Sequence, residues 1–159
     1  MTRDHHARGG ATVAILSCLE GWEANVILNL RLWCDGPKGQ HQIWNEYRRA
    51  LPAAEAQHEM QAFEALLRTL VHRAYRPLVR HDVSCSCVGS DECVFLNLVR
   101  TAADGHLTDA ALISTLLVGP AEAERIALLA GQVGQCVRRI HAEPPAQIPE
   151  TASNVVRLH

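Results

Sequence analysis

The sequence predicts an all-α fold: a single-domain helical bundle of about six helices. Three observations point there. Apolar residues recur at steps of three and four along most of the chain, the period of a helix with one buried face. Gly and Pro stand at the joints between these stretches rather than inside them. No segment alternates as a strand should, Val13 to Leu16 being the one candidate. A chain of 159 residues suits one domain that can bury a real core.

Residues 1 to 10 carry no apolar pattern and read as a flexible N-terminus ahead of a helical domain over 11–141. The first helix is expected over about 12–34. Ser17 with Glu20 fits a capping box, and Leu19, Trp22, Val26, Leu30 and Trp33 form one stripe. Leu28 and Leu32 fall on the opposite side, as in a central helix or half of a dimer interface. Asp35-Gly36-Pro37 ends it. A short helix over 40–51 turns Ile43, Trp44, Tyr47 and Leu51 inward. The third, over 52–75, opens on Pro52 and buries Met60, Phe63, Leu67, Leu70, Val71 and Ala74, with Pro77 closing it.

Residues 77 to 90 form a long irregular segment, a length that is uncommon unless the loop has a purpose or is tied down. Ser90 caps a fourth helix over 91–104, with Asp91 and Glu92 in the first turn, where the helix dipole favours acids. Gly105 stops it. Thr108 caps a fifth, over 108–118, and Gly119-Pro120 separates it from a sixth over 120–141, which carries Ile126, Leu129, Val133, Val137 and Ile140. Residues 142–159 read as a Pro-rich mobile tail.

Fifteen basic residues stand against seventeen acidic ones, a net charge of −2. A dedicated nucleic-acid binder shows a basic excess, so no nucleic-acid partner is expected. Lys38 is the only lysine, so any cationic site is an arginine site. No membrane partner is expected either, because Glu20, Glu23 and Arg31 interrupt the longest apolar stretch, Ala11 to Trp33. Ile15-Leu16-Ser17-Cys18 resembles a bacterial lipid-attachment box, but the apolar run ahead of it is too short for a signal peptide. The six cysteines are therefore read as reduced thiols and the address as cytoplasmic.

The group most able to carry chemistry is Cys85, Cys87 and Cys93, with His81 and Asp82 just before it. Zinc needs several soft ligands gathered together, often by a tight loop feeding a helix. Cys85-Ser86-Cys87 supplies two thiols, Cys93 a third from the helix, and His81 or His106 a fourth ligand. The spacing is not that of the common zinc patterns, so packing thiols and a reversible disulfide stand beside the metal reading. Cys93 lies off the Phe95, Leu98, Val99 and Ala102 stripe, near a helix N-terminus expected to favour its thiolate. That admits an alternative, a thiol-dependent enzyme using Cys93 with His81 as base. A third reading is a structural module in which Leu28, Leu32 and the tail meet a protein partner or a second copy of the chain. Cys18, Cys34 and Cys136 are read as structural.

Arg68, His72, Arg73, Arg76 and Arg80 form a basic stretch able to meet phosphate or an acidic partner, or simply to complement the end of the third helix. Ala102 to Asp109 resembles both a calcium loop and the helix-turn-helix joint of tellurite-resistance-B-like helical proteins. Only Asp104 and Gly105 fit the calcium pattern, and Gly105 with Thr108 explains the stretch as a turn. No phosphate-binding loop, dinucleotide fingerprint or hydrolase elbow is present. The sequence thus supports a small binding or regulatory protein of unknown specificity, with loop 81–93 at its centre.

Overall fold

The computed structural model describes residues 12–142. The flexible N-terminus expected at 1–10, and the tail beyond Ala142, lie outside the described residues. Within them the fold is mostly helical: α1 (Gly21–Cys34), α2 (Pro37–Ala50), α3 (Ala53–Arg73), α4 (Ser90–Ala103), α5 (Leu107–Ser114) and α6 (Pro120–His141). Two short strands, β1 (Thr12–Ile15) and β2 (Cys87–Gly89), pair antiparallel, with Thr12 opposite Gly89, Ala14 opposite Val88 and Ile15 opposite Cys87.

The six expected helices are all present, with corrected ends. The first does not begin at residue 12. Thr12–Ile15 is rich in β-branched residues, which suit a strand, and it finds a partner edge in β2. A 3-10 turn at Leu16–Cys18 follows, and the capping box is made by Glu20 and Glu23 rather than Ser17 and Glu20. Helix α2 starts at Pro37, whose fixed φ is already helical, and so takes in residues assigned to the preceding break. Helix α3 stops at Arg73, ahead of Pro77. Ala74 forms an isolated bridge with Val118, and the Tyr75 amide donates to the Leu117 carbonyl at 3.0 Å. Helix α4 is capped at Gly89, not Ser90, and α5 ends at Ser114, short of the expected 118. Gly105 has a φ of +88°, which favours glycine and ends α4.

Helix α6 packs on α3, α4, α5 and α1 and so forms the centre of the bundle. Its closest neighbour is α4. A Cβ on Gly134 would lie 2.7 Å from Ala103 Cβ and 2.9 Å from Val99 Cγ1, so this contact depends on a missing side chain. Phe63, Leu66, Leu67 and Leu70 of α3 join Phe95, Leu98 and Val99 of α4 and Ile126, Ala130 and Val133 of α6 in one core. Helix α1 adds Val26, Ile27 and Leu30, with Leu32, Trp22 and Trp33 half-buried against the core. Leu28 is also half-buried. No described helix is long and apolar enough to cross a membrane.

Candidate functional site

One face of this bundle is organised by a charge pair that spacing rules do not reveal. Arg31, near the end of α1, is completely buried, as is Glu92 in the first turn of α4. Arg31 Nε donates to Glu92 Oε1 at 2.7 Å and Nη2 to Oε2 at 3.0 Å, the two-pronged geometry that guanidinium and carboxylate share. The remaining N–H groups leave the pair for the loop. Nη1 donates to the carbonyls of Asp82 (3.1 Å) and Cys85 (2.7 Å), and Nη2 to that of Cys87 (2.5 Å). The five contacts match the five donors of a guanidinium, so this buried cation is fully satisfied.

Glu92 is equally occupied. Besides Arg31 it accepts from the amides of Gly89 (2.9 Å) and His81 (3.1 Å), and His81 Nδ1 lies 3.2 Å from Oε2, the ring donating. Burial by itself would raise this carboxyl. The hydrogen bonds and charge of Arg31, with the two amides, outweigh it and hold Glu92 below the ordinary carboxylate range. The neighbouring Asp91 clamps the other end of the loop. It accepts from Arg76 Nη1 at 2.7 Å and Nη2 at 2.9 Å, and from the Val79 amide at 2.7 Å. The hydrogen bond from Arg76 is the main reason that Asp91 is held low. The long irregular segment is therefore tied down by the first two acids of α4, and its last residues form β2.

The predicted ligands are distributed over this frame. His81 is buried with its ring against Glu92. Cys93 is partly buried and packs on the core; burial and the adjacent Glu92 carboxylate raise its thiol, only partly offset by Arg100. In place of the expected lowering near a helix N-terminus, burial foremost and then the first-turn Glu92 raise the Cys93 thiol. Cys85 and Cys87 sit at the rim. The Cys87 thiol shares side-chain hydrogen bonds with Thr12, Cys85 and Ser86, and these, Thr12 foremost, draw it below the ordinary thiol range. Cys85 and Cys87 stay on the same partly buried rim with one residue between them, while Cys93 and His81 are set on other partners. Among the described residues no group of three or more His, Cys, Asp or Glu side chains is placed to hold a metal ion.

Elsewhere, Cys136 is buried and Cys34 half-buried, as expected of structural thiols; Cys18 is exposed. Desolvation pushes Cys136 up to about 12. The basic stretch is dispersed over four partners: Arg68 with Glu64, Arg73 with Glu122, Arg76 with Asp91, and Arg80 with the Cys34 carbonyl. Asp104, at the turn that resembles a calcium loop, pairs with Arg138 at 2.7 Å. The residues of this frame that spacing missed are Arg31 and Glu92. Their signal was present: a lone arginine in a strongly apolar helix must find an anion, and an acid at the third position of a helix reaches back to its cap. No family model, curated protein or solved structure matches this chain.

Proposed function

We propose that this is a small binding or regulatory protein whose Cys85-Ser86-Cys87 segment is a redox-responsive dithiol working in the reducing cytoplasm. The observation that carries the reading is the placing of two free, partly buried thiols, with one residue between them, on a loop whose backbone Arg31 holds at both of their carbonyls. Exchange with a low-molecular-weight disulfide is the chemistry this pair suits. The Cys87 thiolate attacks one sulfur of the disulfide, and the other departs as a thiol after taking a proton. Cys85 then attacks the mixed disulfide at Cys87, giving up its own proton and releasing the second thiol. Both protein sulfurs are oxidised, and the external disulfide is reduced to two thiols.

Closing that bond reaches the rest of the fold through the backbone. The carbonyls of Cys85 and Cys87 are acceptors of Arg31, and the Ser86 carbonyl accepts from the Leu16 amide at 2.9 Å. A zinc site of Cys85, Cys87, Cys93 and His81 requires His81 to leave Glu92 and Cys93 to leave the core, so it is the less supported reading. A thiol enzyme built on Cys93 and His81 meets the same two obstacles.

The test is to expose purified protein to oxidised glutathione and map the thiols by mass spectrometry. A Cys85–Cys87 disulfide, about 2 Da lighter than the dithiol and lost in Cys85→Ser, is the expected result. Stable glutathione adducts with no internal bond would overturn the reading. So would about one zinc per chain in protein purified without chelators, with both thiols protected.

A further inference from the structure

Away from the dithiol, α2 and α3 diverge around an open hollow of about 440 Å³, within the size range of small-molecule sites. Pro37, Gln40, His41 and Trp44 line it from α2, and Gln57, Met60, Gln61 and Glu64 from α3. Each set follows the spacing i, i+3, i+4, i+7, so one face of each helix is turned to the same space. We propose that this hollow is a binding site for a planar, neutral or cationic nitrogen heterocycle of nucleobase size.

The lining argues for that class by its chemistry. Three of its eight lining residues are carboxamides, and each offers a donor and an acceptor side by side, the match for the edge of an aminated ring. Gln57 and Gln61 are exposed and make no side-chain hydrogen bond among the described residues. Gln40 donates to the Trp33 carbonyl at 3.1 Å, which orients its amide and leaves the oxygen to accept. Trp44 is half-buried and Met60 buried, giving a ring face and an apolar floor for stacking. Glu64 supplies an acceptor for an exocyclic amine or a protonated ring nitrogen.

The same lining disfavours the alternatives. Neither lysine nor arginine lines the hollow, Arg68 is turned to Glu64 and Arg48 lies over the Trp44 ring, so a phosphate or carboxylate finds no cation in the lining placed to hold it. A partner helix needs a continuous apolar groove, whereas Gln40, Gln57, Gln61 and Glu64 interrupt the apolar surface of Pro37, Trp44 and Met60.

The test is titration of the full chain with adenine, guanine, cytosine and uracil, followed by tryptophan fluorescence and by NMR of the glutamine side-chain amides. Saturable binding of at least one base is expected, with shifts at Gln57 and Gln61. Gln57→Ala and Gln61→Ala together should weaken it about tenfold or more at unchanged thermal stability, since both side chains are exposed. The proposal is overturned by no saturable binding, by binding that the double variant keeps, or by stronger binding of inorganic phosphate or glucose than of any base.

Discussion

Arg31 and Glu92 are 61 residues apart in sequence, yet they meet edge to edge with neither exposed to solvent. Through this pair α1 is fixed to the start of α4, and loop 81–89 is hung on the same two side chains. Removing one member therefore does more than delete an ion pair. It leaves a charge stranded in the interior, together with three carbonyls or three N–H groups that had been satisfied.

Arg31→Met is expected to cost about 3–5 kcal/mol, the range for breaking a buried pair on one side. Urea denaturation measures it. The double variant Arg31→Met, Glu92→Leu should recover part of that loss, because it no longer buries a lone charge. A single variant within about 0.5 kcal/mol of the parent would show the pair to be dispensable.

The acid limb of stability should bear the mark of the first two acids of α4. Asp91 and Glu92 are both held below their ordinary values, so they are fully ionised in the folded protein where the unfolded chain already takes up protons. Their stabilisation is present above the unfolded carboxylate range, about 4, and is lost as pH falls through the lower folded values. Stability measured from pH 6 downward should decline below about pH 4. Asp91→Asn should weaken the protein at neutral pH and flatten that decline; an unchanged slope would count against it.

Alkylation should rank the thiols. Cys87, half-buried at the rim and drawn low by Thr12 and Cys85, is expected to outpace Cys93, which burial and Glu92 raise. Cys136, buried and pushed up to about 12, should stay unmodified until the protein unfolds. Timed iodoacetamide labelling with peptide mapping reads this order. Cys93 reacting ahead of Cys87 would reverse the assignment of roles around the loop.

Tyr47 offers a sharper stability test. Its hydroxyl is buried with no nitrogen or oxygen partner and only the weak Cys136 thiol beside it, and desolvation foremost holds it well above the ordinary phenol range. The ring itself is well used, 6.4 Å from that of Phe63. Tyr47→Phe keeps the ring and removes the unsatisfied group, so stability should rise by about 1 kcal/mol. A loss of that size would mean that the hydroxyl is satisfied in solution.

What the sequence made legible was whatever is local. Periodicity and Gly/Pro punctuation located six helices because each depends on neighbours within a few residues. The start of α1 was misplaced because Thr12–Ile15 becomes a strand only when Cys87–Gly89 lies beside it, and spacing along the chain carries no record of that partner. The candidate site divides in the same way. Cys85 and Cys87 were visible as a pair two residues apart, and the structure keeps them together. His81 and Cys93 looked like their companions because they are near in sequence, yet Glu92 captures the first and the core the second. The residue that holds the backbone of Cys85 and Cys87 and the Glu92 carboxylate, Arg31, lies on another helix altogether.

The distance along the chain between the members of the buried pair also sets an order of events during synthesis. At roughly 5–20 residues per second, Glu92 follows Arg31 from the ribosome by about 3–12 seconds. Through that interval α1, α2 and α3 can form as helices, but the guanidinium has no carboxylate to enter the interior with. Closing the core around Arg31 must wait for α4, so the N-terminal half is born unable to finish folding by itself.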